Sequence, residues 1–449
     1  MRLFELSLIL EIIIMLFLYF RVKKNTLSFN VLTIITIITF GLHYFIEGTR
    51  WQLYLIYLLS VIIIILNSTK VKIEKVWLRN MFLTFSILIV VFSSALAIIL
   101  PVFKFPEMKT KYSVGTDYMV FKDIKRDNRN INVKVWYPSS DHEGIHDLYC
   151  LNPIESLNGL MGMPGFIFGH LALVKTGGFY KSDILNRTNK YPLIIYSHGA
   201  VSTNVDNTAL LQELAGNGYI VMAIDFKFSY ESYHLKKSEA TIMNLEAQKK
   251  FSASLFQKVV PNQVEDILFC LNEMQTKTYK LSDHIDFNKI SLIGHSLGGA
   301  TSMNASIENK NIAAVVNIDG PVDKNAIEIF HSPLLYISSY SPDLSDEELS
   351  KKGLPDTHFY RDVKNFELEN VKLIFNIKQD QSRWVRFKNA GHLDFTDLSF
   401  VIPFMKTKGY NKLEGDSLKT ELILDFLDCS FNKTKIFKKI KNPTIEWIK

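Results

Sequence analysis

The chain has 449 residues, with 51 Lys and Arg against 45 Asp and Glu and a formal net charge of +6. That length exceeds one ordinary core, so two or more structural units are expected, while the absence of Lys/Arg blocks interleaved with aromatics excludes a nucleic-acid footprint. Cys150, Cys270 and Cys429 lie far apart with no C-x-x-C pair, which excludes a disulfide framework and a zinc site; Cys270, in a helical pattern, is expected to be a buried free thiol.

Four apolar runs open the chain, at about 3–20, 31–46, 51–66 and 81–103. A membrane span needs about 20 mostly apolar residues, so residues 1–103 are expected to form four transmembrane helices, the second and third drawing on their flanks. The first run lacks the basic start and small-residue cleavage site of a signal peptide. Loop one carries Arg21, Lys23 and Lys24, loop three carries Lys70, Lys72, Lys75 and Arg79, and loop two, residues 47–50, is neutral. Positive charge marks the cytoplasmic side, so both termini, and everything after Phe103, are expected outside the cytoplasm of a multi-pass cell-membrane protein. Within the first span, Glu5 is expected at the interface, and Glu11 against a polar partner inside the bundle such as His43.

Residues 104–449 read as a second, catalytic domain. Tyr112–Lys122 and Asn130–Tyr137 predict a hairpin turned at Asp127-Asn128. Residues 141–190 show no strong strand pattern and are apolar and Gly/Met-rich around 157–173, which predicts either a packed surface insertion or a lipid-facing lid. Strands at Leu193–Tyr196, Tyr219–Ile224, Lys289–Ile293, Ile312–Ile318 and Pro333–Ser338 then alternate with helices at Asn204–Asn217 and Pro261–Gln275. Val371–Ile377 and Trp384–Lys388 are late strand candidates, and Asp416–Phe431 a closing helix. This alternation predicts an α/β fold, a mostly parallel sheet with helices on both faces. The Lys-rich tail from Lys433 is expected to be solvated, with anionic lipid headgroups as the alternative partner.

The chemistry centres on Gly294-His295-Ser296-Leu297-Gly298. An apolar strand before it and Gly299-Ala300 after it supply the strand–turn–helix setting in which G-x-S-x-G exposes a nucleophilic serine. A serine hydroxyl needs a base, an acid to orient that base, and donors for the oxyanion. His392, in Asn389-Ala-Gly-His-Leu-Asp-Phe-Thr-Asp397 after the last strand candidates, is the expected base. The acid stays open between Asp319, which directly follows its strand, and Asp343 or Asp346 after the next; Asp394 and Asp397 lie too near His392 in sequence. The N–H groups of Leu297 and of Ala200, in Ser197-His-Gly-Ala200, are the expected oxyanion donors, with His198 structural. No metal or organic cofactor is implied.

Val135-Trp-Tyr-Pro-Ser139, Tyr191-Pro-Leu-Ile-Ile-Tyr-Ser-His-Gly199, Asn217-Gly-Tyr-Ile-Val-Met-Ala223 and Lys289-Ile-Ser-Leu-Ile-Gly-His-Ser-Leu-Gly-Gly-Ala-Thr301 resemble stretches of the platelet-activating factor acetylhydrolase family, plasma and type II. The resemblance implies an α/β-hydrolase fold and a calcium-independent serine lipase, and it lifts Asp319, in Asn317-Ile-Asp-Gly320, above Asp343 as the acid. Gly320-Pro-Val departs from the aromatic residues expected after the family's acid. The resulting expectation is a membrane-anchored serine esterase acting on a lipid or phospholipid ester. The alternatives are an acyltransferase using the same triad and a membrane sensor whose hydrolase domain only binds lipid.

Overall fold

A computed structural model describes the chain except for residues 22–26, 70–72, 158–162, 201, 227–244, 278, 340–344, 352–356, 378–381 and 433–435. Lys23, Lys24, Lys70, Lys72, Lys433, Lys435 and Asp343 therefore lie outside the described residues. The chain divides into two compact units, one of Met1–Lys104, Leu148–Val174 and Phe400–Phe404, the other of Phe105–Asp147, Lys175–Ser399 and Met405–Lys449.

The first unit is built on α1 (Leu3–Arg21), α2 (Leu27–Leu42, continued by a π-turn His43–Glu47), α3 (Tyr54–Ser68) and α4 (Val76–Ile99). All four segments are long and apolar enough to cross a membrane. The fourth starts five residues earlier than its most apolar stretch suggests, because Val76-Trp77-Leu78 extends the helix through Arg79. It stops before Pro101, whose ring disfavours helix at the preceding residue. The bundle buries an apolar core that includes Ile12, Met15, Ile56 and Ile63, yet its outside is apolar too. Along α4, Ser86, Ser93 and Ala97 are buried while Phe85, Leu88, Val91 and Phe92 are exposed; on α2, Thr36 and Thr39 are buried while Ile34, Ile37 and Ile38 are exposed. Small and hydroxyl residues at the helix contacts, as at Ser86, Ser93, Ala97, Thr36 and Thr39, let helices pack closely.

The polar partners within this bundle differ from the expected ones. Glu5, in the first turn of α1, is buried: it accepts from Arg50 Nη2 at 2.6 Å and pairs with Arg2 Nη2 at 2.7 Å. Arg50 also donates to the carbonyls of Ala97 and Leu100, at 3.2 and 3.1 Å. Glu11 is held by the Thr39 hydroxyl at 2.8 Å, not by His43, which lies between Glu47 (2.9 Å) and Tyr57 (2.7 Å). Thr39 precedes His43 by a full helical turn and so stands nearer Glu11 in depth.

The second unit is an α/β fold around one sheet with strand order β11-β10-β9-β8-β7-β5-β6-β2-β1-β4-β3. In chain order these are β1 (Ser113–Asp123), β2 (Arg129–Ser139), β3 (His146–Leu148), β4 (Lys175–Tyr180), β5 (Tyr191–Ser197), β6 (Ile220–Ile224), β7 (Ile285–His295), β8 (Ile312–Ile318), β9 (Leu334–Ser338), β10 (Arg383–Phe387) and β11 (Ile445–Trp447). The run β6-β5-β7-β8-β9-β10 is parallel throughout. The β1–β2 hairpin is antiparallel, and Asp127 and Asn128 both take φ near 54° in its turn, the backbone that matches strand twist. Successive residues of β5 face opposite cores. Leu193 and Ile195 pack with residues of the helices Val260–Thr276 and Thr357–Ile377; Ile194 and Tyr196 pack with those of Thr208–Gly216 and Lys412–Phe431.

Two expectations need correction here. Val371–Ile377 is the last two turns of the helix Thr357–Ile377, with Leu368, Val371, Ile374 and Phe375 buried at helical spacing. The described tail lysines Lys438, Lys439 and Lys441 are exposed, and the chain beyond them, not expected as a strand, adds Ile445–Trp447 as β11 antiparallel to β10. The stretch 141–190 is not one insertion, since β3 and β4 join the sheet edge and Leu148–Val174 groups with the helical unit. The three cysteines form no disulfide, and Cys150 and Cys270 are buried.

Candidate active site

Ser296 stands between the end of β7 and the helix Leu297–Glu308, with φ 56° and ψ −128°. A side chain in that left-handed region is strained, and here two flanking features hold it. Its N–H donates to the Ile318 carbonyl at 2.9 Å. Strand and helix also pass so closely that a β-carbon on Gly294 would overlap the Gly298 carbonyl, and one on Gly298 would overlap Ser197. The motif glycines are thus required sterically. Leu297 is the first residue of the helix, where amide N–H groups lack intrahelical acceptors and the dipole is positive.

The loop after β5 packs on the same serine. A β-carbon on Gly199 would lie 3.3 Å from Ser296 Cβ, and Ala200 follows directly. His198 is buried as a strut: its Nδ1 meets the Gly199 carbonyl at 2.8 Å and its Nε2 accepts from Phe226 N–H at 2.9 Å.

His392 and Asp319 meet from different ends of the sheet sequence. Asp319, just past β8, takes φ 55°. That turn is fixed by Asn317 Oδ1, which accepts Gly320 N–H at 2.8 Å, and by the Tyr336 hydroxyl, which donates to the Gly320 carbonyl at 3.0 Å. His392 opens a short 3-10 turn after β10, and its Nδ1 lies 2.8 Å from Asp319 Oδ2. The hydrogen bond to a carboxylate assigns the proton to Nδ1 and leaves Nε2 as the imidazole's acceptor. Burial by itself would raise the Asp319 pKa. The hydrogen bond from His392, the charge of Lys364 and a hydrogen bond from Ser339 outweigh it and hold the carboxyl well below the usual carboxylate range. Asp346 pairs with Arg361 in an exposed position, away from this arrangement.

Three supports were not legible in the sequence. Ser339 gives Asp319 two hydrogen bonds, from its N–H to Oδ1 at 2.9 Å and from its hydroxyl to Oδ2 at 2.7 Å. The available signal was a hydroxyl residue directly after the neighbouring parallel strand. His295, inside the motif, donates from Nε2 to the His392 carbonyl at 3.0 Å, and its ring lies 4.7 Å from the His392 ring. Burial, then the neighbouring His392, lowers the His295 pKa to about 3, so it is a neutral backstop. Finally, the loop after β5 and the His392 loop are stitched together. Asp397 N–H donates to the Asp206 carbonyl at 2.6 Å, and buried Lys419 donates to Phe395 O at 2.7 Å and to Asn207 Oδ1 at 3.2 Å. Beyond Gly320, Pro321 and Val322 line a cavity of about 260 Å³ with Phe256 and Phe366, and with Lys249 and Lys324 among its polar groups.

The comparisons with known proteins agree on the type of protein. The family model of platelet-activating factor acetylhydrolase, isoform II, matches residues 98–265 and 258–442. The platelet-activating factor acetylhydrolase of Canis lupus familiaris is 26% identical over 329 residues, 62% of this chain and 72% of that one. The same enzyme of Bos taurus is 24% identical over 273 residues, 53% of this chain and 60% of that one. Among solved structures, a ferulic acid esterase from Streptomyces cinnamoneus superposes with a TM-score of 0.55 at 19% identity, over 78% of this chain and 100% of that one. That likeness shows a shared α/β-hydrolase fold.

Proposed function

The chain belongs to the platelet-activating factor acetylhydrolase, isoform II, family, and from that premise we propose a membrane-anchored serine esterase that hydrolyses a lipid or phospholipid ester. The observation that carries the mechanism is the strained Ser296 turn in the same unit as an imidazole already oriented by a buried carboxylate.

Ser296 Oγ attacks the ester carbonyl while His392 Nε2 takes its proton. The imidazolium that forms is stabilised by Asp319, which its three hydrogen bonds and the charge of Lys364 keep ionised and fixed against the opposing effect of burial. The tetrahedral oxyanion takes the N–H groups of Leu297 and Ala200, donors held by a helix start and a packed loop; one such donor is worth about 3–4 kcal/mol of barrier. His392 then protonates the leaving alcohol oxygen, the acyl group rests on Ser296, and water repeats the sequence to release the acid. The cavity beyond Gly320, with apolar walls and Lys249 and Lys324 set against Asp323 and Glu367, suits an apolar chain.

Anchoring rests on the four apolar helices and on aromatic residues at both ends of the spans, Tyr44, Trp51 and Tyr54 at one and Tyr19 and Trp77 at the other. The loop charges favour a catalytic unit outside the cytoplasm. Labelling intact cells and opened membranes with a membrane-impermeant fluorophosphonate tests both parts. Wild type should label in intact cells and Ser296→Ala in neither preparation. Label retained by Ser296→Ala would refute the nucleophile, and wild-type label seen only after opening would reverse the orientation.

A further inference from the structure

The chain leaves the catalytic unit after Asp147 and rejoins it at Lys175, and the intervening Leu148–Val174 belongs to the helical unit. Its contacts there cluster at one end of the bundle. The Trp51 indole N–H, between α2 and α3, donates to the Ile167 carbonyl at 3.2 Å, and its ring meets Phe166 edge-on at 5.5 Å. The backbone of Gly48 lies against Leu173. Phe103, just past α4, packs on Tyr149 at 5.5 Å and stacks on Phe400 at 5.7 Å. The α2–α3 connection and the end of α4 fall at the same end of four helices that run alternately up and down.

Among its described residues, what this layer presents outward is mostly apolar, with Asn152 and Glu155 the polar exceptions. Ile154 is 59% exposed, Phe166 52% and Phe404 71%. Tyr44, Phe45 and Ile46 are exposed on the adjoining end of α2 and its π-turn. Apart from His170, which is buried, Glu155 is the one ionisable side chain between Leu148 and Val174 besides Tyr149 and Cys150. Bulky apolar side chains of this kind are unfavourable in water and favourable at the boundary of headgroups and acyl chains. The layer is anchored through Trp51, an amphipathic residue of the type that settles at that depth.

We propose that residues 148–157 and 163–174, with Phe400–Phe404, form an interfacial platform. It lies in the outer leaflet boundary of the bilayer that α1–α4 span, with Ile154, Phe166 and Phe404 in the lipid, so that the enzyme draws its ester from its own leaflet. This rests on the membrane-anchored esterase reading, and it narrows the substrate class to lipid esters resident in the bilayer.

The test uses the full chain in phosphatidylcholine/phosphatidylglycerol proteoliposomes. On a Cys429→Ser background, Phe166→Cys carrying an environment-sensitive fluorophore should emit to the blue and be quenched by phospholipids bearing a nitroxide near the headgroup. Quenching by aqueous iodide alone would overturn the platform. Separately, the Ile154→Ser/Phe166→Ser/Phe404→Ser variant should lose at least about tenfold in hydrolysis of a short-acyl phosphatidylcholine in the bilayer. It should keep its rate on water-soluble 4-nitrophenyl acetate within about twofold. Equal loss on both esters, or none on either, would refute the proposal. If wild type fails on both esters, the esterase reading falls, while the fluorophore still decides where the platform lies. Release of the chain from vesicles by alkaline carbonate would sink the anchoring itself.

Discussion

The two units both bury an apolar core but differ in what they leave on the outside. In the catalytic unit, β5 buries Leu193, Ile194, Ile195 and Tyr196, and helices cover both faces of the sheet. In the helical unit, Phe85, Leu88 and Val91 of α4 face outward, and serines face inward. Each unit also contains a buried ion pair and a buried neutral histidine. The pairs are Lys134–Asp147 at 2.7 Å in one and Arg50–Glu5 at 2.6 Å in the other. The histidines are His295 and His170, with pKa values lowered by burial to about 3 and about 4. The difference lies in what each fold leaves on its outside, and the same rules of pairing and desolvation operate in both.

The largest expected effect separates chemistry from packing. Asp319→Asn keeps the size of the side chain but removes the charge that holds His392 Nδ1–H. It should lower kcat by about 10⁴-fold, with KM and melting temperature close to wild type. A loss below tenfold, measured on a soluble ester and normalised to fluorophosphonate-labelled sites, would point to another acid.

The ion pairs sharpen the comparison. Glu5→Gln leaves Arg50 charged, buried and short of its partner, and Lys134→Met does the same to Asp147; each should cost about 3–5 kcal/mol. If the units are thermodynamically separate, Glu5→Gln will destabilise the helical unit and spare soluble-ester turnover, while Lys134→Met will lower the unfolding midpoint of the catalytic unit. Identical loss of both signals in both variants would show one cooperative block and break the comparison.

The histidines predict a pH dependence with a definite sign. His295 has a folded pKa of about 3 against an ordinary 6.5, so below pH 6.5 the unfolded chain binds a proton that the folded chain refuses. Its contribution is whole above about pH 6.5 and is lost progressively as pH falls toward 3. Urea midpoints of the catalytic unit should fall over that window, and His295→Asn, which can still donate to the His392 carbonyl, should flatten the slope. An unchanged slope would mean that His295 is solvated or charged in the folded protein.

How much of this was readable follows from the range of each constraint. The Ser296 turn is legible because its steric demands fall within five residues, Gly294 to Gly298. Asp319 was open on physical grounds alone, because direct succession to a strand is shared by many carboxylates. Its hold on His392 spans 73 positions, and no local pattern carries that. The same holds for Glu5, whose partner Arg50 lies 45 residues away. Val371–Ile377 was misread for another reason: Val-Lys-Leu-Ile-Phe-Asn-Ile fits a buried strand as well as a helix face. Only the longer run back through Leu368 separates the two. The grouping of Leu148–Val174 with the helical unit is a long-range fact that its Gly/Met-rich composition does not carry.

The smallest expected effect bears on what tunes the acid. Ser339→Ala removes the 2.7 Å hydroxyl bond to Asp319 Oδ2 and leaves the 2.9 Å backbone bond to Oδ1 intact. Asp319 Oδ2 is the oxygen that also receives His392 Nδ1–H, so the hydroxyl restrains the same atom that orients the base. A hydrogen bond to a charged group contributes about 1.5–3 kcal/mol. Part of that is stability and part is the alignment of the imidazole, so kcat should fall by about tenfold, with KM unchanged and Ser339→Thr restoring most of the rate. The loss should also deepen at low pH. The carboxyl pKa, freed from one of the donors that depress it, moves up toward the ordinary carboxylate range, and the contribution of the ionised form is then lost at a higher pH than in wild type. A Ser339→Ala enzyme with wild-type kcat and an unshifted acid limb would show that the backbone bond alone positions Asp319, and that the hydroxyl is structural.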